Sequence, residues 1–194
     1  MTSRRPLVFA DANVLYASAP RDILIELALE AVIGLRWSPT VLDELSRALV
    51  RTRPEYTGAK ALRLVTAMTA ALPDAWVLPP DPPTLAIDLP DADDAHVVLA
   101  AHHGGCETIL TFNLGDFPEA ALNRLQPPLT AAHPDTFLVA MLTARPTAVL
   151  PAIERVRQNL LTPPMTVAQY ADSLARSGLP QTAALVRHLL PAVP

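Results

Sequence analysis

Four acidic side chains stand where a soluble chain ordinarily puts apolar ones, and they come from four distant segments. Asp11 ends the apolar run Leu7-Val8-Phe9-Ala10, and Glu44 sits within Val41-Leu42-Asp43-Glu44-Leu45. Asp94 opens Asp94-Ala95-His96-Val97-Val98-Leu99, and Asp116 closes Ile109-Leu110-Thr111-Phe112-Asn113-Leu114-Gly115-Asp116. A carboxylate at the edge of a buried segment is costly unless something positive neutralises it. If the fold gathers the four, an all-oxygen set without cysteine suits a hard cation, Mg²⁺ or Mn²⁺, rather than zinc. Such ions bind phosphate oxygens and activate water, so phosphodiester hydrolysis is the natural reaction. Asn113 is a neutral oxygen donor beside Asp116. Asp91, three residues before Asp94, is either a further ligand or the cap of the following helix. Taken singly, each acid has an ordinary role: a strand end, a helix N-terminus, or a partner for Arg47 or Arg51. Four such coincidences at one sheet edge favour the joint reading.

The elements that would carry these residues alternate. Leu7–Ala10 reads as a strand buried on both faces, and residues 21–33 have helical spacing. Residues 35–38 are a candidate second strand. Ser38 or Thr40 is suited to cap a helix over about 40–52 that opens with Pro39. In that helix Glu44 falls on the apolar stripe, and Asp43 can pair with Arg47 on the exposed side. Residues 58–72 form another helix, Trp76-Val77-Leu78 a candidate third strand, and Pro79–Pro83 an extended connection. A helix over about 91–103 stops at Gly104-Gly105. Strands over 108–112 and 129–132 flank a short helix at 118–125. This alternation predicts a doubly wound α/β sheet with its site at the carboxyl ends of the strands. Asp11 and residues 113–116 follow strand ends, and Glu44 and Asp94 lie near helix starts facing the same edge. After residue 133 four helices are expected, over 135–142, 147–160, 166–177 and 179–190. The division is therefore residues 1–133 and a helical region over 134–194.

The bulk numbers bound the class. A chain of 194 residues, 51% hydrophobic, can bury a substantial core. No apolar run approaches the ~20 residues of a membrane span, and the stretch before Asp11 is short for a signal peptide. One cysteine, Cys106, cannot form an internal disulfide, which fits a reducing compartment; the expected location is the cytoplasm. A net charge of −4 argues against a dedicated nucleic-acid binder. Yet Arg47, Arg51, Arg53, Lys60 and Arg63 cluster, and Arg47 and Arg51 are candidate RNA contacts, with an ordinary solvated helix face as the alternative. His96, His102 and His103 match no zinc spacing and read as surface or half-buried side chains. Phosphate-binding glycine loops and a Gly-x-Ser-x-Gly elbow are absent. A phosphoaspartate enzyme needs a lysine at the site, and Lys60 lies in a helix away from the strand ends.

Three segments, Val8–Leu15, Leu89–Ala101 and Leu110–Pro118, with Pro39–Leu45 as a weaker fourth, together resemble the PIN-domain ribonucleases, in particular the VapC-like toxins. The resemblance spans about residues 6–140. It implies a PIN-like α/β/α sandwich with a central parallel sheet, here with a helical C-terminal extension. It implies that Asp11, Glu44, Asp94 and Asp116 bind Mg²⁺ or Mn²⁺, with Asn113 at a place where some relatives have Asp and Asp91 and Asp93 as extra acids. It implies endonucleolytic cleavage of RNA leaving a 5′ phosphate, homodimerisation, and inhibition by a cognate antitoxin. The competing reading from another class is a PIN-like module without activity, acting through protein or RNA binding.

Overall fold

A computed structural model describes residues 5–80, 87–160 and 163–190. Four short strands, β1 (Leu7–Ala10), β2 (Gly34–Arg36), β3 (Thr108–Leu110) and β4 (Thr130–Ala132), form one sheet in the order β2-β1-β3-β4. All pairs are parallel, with Phe9 opposite Arg36 on one side and Ile109 on the other. The run Val8-Phe9-Ala10 is fully buried, as are Ile109 and Leu110. Parallel strands covered on both faces need such continuous apolar stretches. The fold is the expected α/β sandwich with a central parallel sheet and C-terminal helices.

Helices α1 (Ala12–Tyr16) and α2 (Ser18–Leu29) connect β1 to β2, and α3 (Pro39–Thr52), α4 (Gly58–Ala71) and α5 (Ala95–His103) lie between β2 and β3. Helix α6 (Glu119–Leu122) leads to β4. Ser38, not Thr40, caps α3: its hydroxyl accepts from Val41 N at 3.3 Å, with Pro39 in the first turn. The stripe Val41, Leu42, Leu45 and Leu49 is buried, so Glu44 is carried along the half-buried margin of that face.

Three expectations need correction. Trp76-Val77-Leu78 is no strand. It makes one parallel bridge, Trp37 to Trp76, held by Trp37 N to Ala75 O and Val77 N to Trp37 O, both 2.9 Å. Trp76 and Leu78 are exposed, and Pro79 and Pro80 offer no N–H to extend the ladder. Second, α2 begins earlier and ends earlier than 21–33. Pro20 fits within its first turn, and Ala31 at φ +54° turns the chain so that Val32 and Ile33 feed β2. Third, the 91–103 helix is a 3₁₀ turn over Ala92–Asp94 followed by α5. Part of the Pro79–Pro83 connection lies outside the described residues.

The C-terminal region is four helices, α7 (Pro134–Ala144), α8 (Pro146–Asn159), α9 (Val167–Arg176) and α10 (Pro180–Leu189). Helix α8 packs on α2, where Arg155 pairs with Glu26 at 2.5 Å and Glu30 at 2.8 Å. A capping box, Thr166 with Gln169, starts α9. Asp135, only 2% exposed, accepts from the backbone N–H groups of Gln181 and Thr182 at 2.9 and 2.8 Å. A buried carboxylate is thus matched to the positive end of α10.

Candidate active site

The site is built outward from Asp11, which stands just past β1 and beside β3, at the carboxyl ends of the two central strands. Asp11 N donates to Leu110 O at 3.0 Å, and its carboxylate is buried. Thr111 Oγ1 donates to Asp11 Oδ2 at 2.8 Å, and Asn13 Nδ2 donates to the same oxygen at 2.6 Å. Both lone pairs of Thr111 Oγ1 are used too, since it accepts from Asn13 Nδ2 and Asn113 N, each at 3.0 Å. Asn13 Oδ1 accepts from Phe112 N at 3.0 Å. Asn13 and Thr111 therefore lock the end of β1 to the loop after β3. Despite these donors, burial raises the Asp11 pKa, and the nearby charge of Glu44 adds to the rise.

Asp94 opens α5 and is half-buried. Its pKa is pushed up to about 6, first by burial, then by the negative charges of Asp11, Asp116 and Asp91, with His96 opposing. Asp116 lies in the 3₁₀ turn Leu114–Asp116, and the Asn113 side-chain amide donates to its carboxylate. Glu44 accepts from His96 Nε2 at 2.9 Å, a bond that ties α3 to α5. A carboxylate only accepts, so Nε2 carries the proton, and Nδ1 is buried without a hydrogen-bond partner among the described residues.

The acids foreseen from sequence thus act on one another across four segments. Asp11, Glu44, Asp94, Asp116 and Asp91 form one negative neighbourhood. Asp91 is exposed and its carboxylate accepts from Asp93 N at 2.9 Å, which is a cap. Asn113 is a donor to Asp116 and so an orienting group. Glu44 pairs with His96 rather than with Arg47 or Arg51, while Arg47 pairs with Asp43 at 2.9 Å. Sequence reasoning left out Asn13, Thr111 and His96. Asn13 lies within the Val8–Leu15 segment and His96 two residues from Asp94, but their roles rest on contacts across 98 and 52 residues.

The donor set suits a hard divalent cation: burial first, then the negative charges of Asp11, Asp116 and Asp91, push the Asp94 pKa up to about 6, and a positive ion would favour the charged form against both. The set is open, however: among the described residues no three His, Cys, Asp or Glu side chains converge closely enough to hold an ion. Beside the acids runs a groove of about 530 Å³ lined by Ala12, Asn13, Tyr16, Glu44, Arg47 and Arg51, among others. Its lining sets the guanidinium groups of Arg47 and Arg51 and the carboxylate of Glu44 beside apolar surface. Arg53 lies over the Tyr16 ring at 4.6 Å, and Tyr16 Oη is 2.8 Å from Thr52 Oγ1.

Comparison with known proteins agrees with this architecture. The VapC50 C-terminal domain family matches residues 134–188. A protein of Mycobacterium tuberculosis named "Putative ribonuclease VapC50" is 36% identical over 99 residues. That stretch is 51% of this chain and 57% of the relative, so the match spans little more than half of that protein. No solved structure matches. The PIN domain family matches residues 8–115, more than half of the 194 residues, from within β1 to the residue before Asp116. The chain belongs to the PIN-domain family.

Proposed function

We propose that the protein is a divalent-metal-dependent endoribonuclease that hydrolyses RNA phosphodiester bonds, leaving a 5′ phosphate, and is the toxin of a toxin–antitoxin pair. The observation that supports this reading is the shared negative neighbourhood of Asp11, Glu44, Asp94 and Asp116 around the end of β1, beside a groove lined by Arg47 and Arg51. The Mycobacterium tuberculosis relative, named "Putative ribonuclease VapC50", supports the substrate class. PIN domains generally use divalent metal ions. Here Asp11, Glu44, Asp94 and Asp116 would hold Mg²⁺ or Mn²⁺, with Asp91 at the margin and Asn113 fixing Asp116. Such an ion, when bound, neutralises the acids and activates water for attack at phosphorus.

The remaining roles belong to the chain itself. Thr111 and Asn13 fix the Asp11 carboxylate. His96 fixes Glu44. Arg47 and Arg51 draw the RNA backbone along the groove against the repulsion of the acids. Residues 1–133 form the nuclease unit and 134–194 the helical region, a division supported by the end of β4 at Ala132 and the start of α7 at Pro134. Partners are RNA, a cognate antitoxin and a second copy of the chain, in the cytoplasm. Among the described residues no helix is long and apolar enough to cross a membrane.

The test is cleavage of RNA by purified protein with Mg²⁺ or Mn²⁺. Asp11→Asn and Asp94→Asn are expected to abolish it while leaving the fold intact, and full activity in either variant rules the proposal out. A second reading, an inactive PIN-like module, draws on the open arrangement of the acids. Calorimetric titration with Mn²⁺ separates the two, since the module binds none.

A further inference from the structure

The loop that carries Asn113 and Asp116 leans on the C-terminal helices. Phe112 immediately precedes it. The Phe112 backbone is held by Asn13, and its ring meets His133 edge-on at 5.0 Å with an interplanar angle of 78°. The ring also meets Gly178, in the turn between α9 and α10. A Cβ placed on Gly178 would stand 2.7 Å from Phe112 Cε1 and 3.3 Å from Cζ, well inside the ~3.5–4.0 Å at which carbon atoms pack. Gly178 sits at φ +85°, a conformation that side chains disfavour. The turn cannot drift, because Asp135 grips the next two backbone N–H groups after Pro180, those of Gln181 and Thr182. Asp135 and His133 are neighbours at the start of α7. The Gly178 turn and His133 thus both meet the ring that immediately precedes the loop.

We propose that the helical C-terminal region positions the active-site loop: the Gly178 turn is the seat of the Phe112 ring, and through that ring it sets where Asn113 and Asp116 stand. Phe112 and Gly178 are positioning residues and touch no substrate. The proposal rests on the nuclease reading for its catalytic consequence. Its structural half does not.

The experiment measures steady-state RNA cleavage and backbone amide NMR on the full chain. Gly178→Ala pushes a methyl into the ring, and loops displaced by ~1 Å can lose about 100-fold in rate. The expected result is a fall in kcat of about tenfold or more, with KM within about twofold, because the groove of Arg47 and Arg51 is unaltered. In a Phe112→Leu background the same methyl has room, so the effect of Gly178→Ala shrinks to about threefold or less. Equal losses in both backgrounds, or kcat within about twofold of wild type in folded Gly178→Ala, overturn the proposal. Should Gly178→Ala fail to fold, Phe112→Leu alone decides: a lower kcat at unchanged KM supports the seat, and unchanged kcat refutes it. If the wild-type protein cleaves no RNA, the nuclease reading falls, and the amide resonances of Asn113–Asp116 decide the rest. Their movement in Gly178→Ala, or in Phe112→Leu that of Asp116, four residues from the change, supports the coupling, and constancy overturns it.

Discussion

Removing the charge of Asp94 should stabilise the metal-free protein, although Asp94 is proposed as a ligand. Its pKa stands at about 6 against an ordinary 3.8. That gap, taken at face value, corresponds to about 3 kcal/mol of unfavourable ionisation in the folded state. Asp94 is only partly buried, and solvent screening cuts the effect to roughly 1 kcal/mol. For a chain of this size about 1 kcal/mol moves Tm by ~2–4 °C. The sign follows from proton binding. Between pH 3.8 and about 6 the folded protein holds the Asp94 proton more tightly than the unfolded chain does. Stability from this group is therefore lost as pH rises through that window, and the penalty is complete above it. Asp94→Asn should melt ~2–4 °C higher than wild type in EDTA at about pH 8, and the difference should vanish by about pH 4. Thermal melts by circular dichroism across that range give the answer. A variant less stable than wild type at the high end, or a difference independent of pH, refutes the reasoning.

Other expectations follow from individual contacts. Asn13→Ala removes the tie between Asp11, Thr111 and Phe112 N and leaves a buried carboxylate short of a donor, so urea unfolding should show a loss of about 1–3 kcal/mol, with cleavage reduced. His96→Ala frees Glu44 and parts α3 from α5; the readout is weaker Mn²⁺ binding by calorimetry, and unchanged affinity contradicts it. Arg51→Ala should raise KM for RNA with kcat nearly kept and flatten the salt dependence of binding by about one charge. Asp135→Ala uncaps α10 and should cost about 1–2 kcal/mol in thermal melts.

Much of this architecture can be read from local pattern. Leu7–Ala10 and the four tail helices are continuous or periodic apolar stretches with proline and glycine punctuation, and they lie close to where pattern puts them. The four acids could be singled out because a charge at the margin of an apolar segment is a local anomaly. The groups that orient them could not. Asn13 and Thr111 look like ordinary polar residues until β1 and β3 pair in register, and His96 has no metal spacing because its partner is a carboxylate on another helix. Trp76-Val77-Leu78 has strand composition but sits at an edge where prolines end the ladder. The five residues of α1 are too few to show a period. Gly178 reads as a plain helix stop, and only the fold shows what its missing Cβ accommodates.

The central claim is that Asp11, Glu44, Asp94 and Asp116 together hold an ion that cuts RNA. It is tested most directly by mapping the ends produced from a defined RNA by wild type and by Asp11→Asn, with Mn²⁺ and with EDTA. Discrete internal cuts bearing 5′ phosphates, seen only for wild type with Mn²⁺, are the predicted result. Cuts that persist in EDTA or in Asp11→Asn contradict the account, as does intact RNA under every condition.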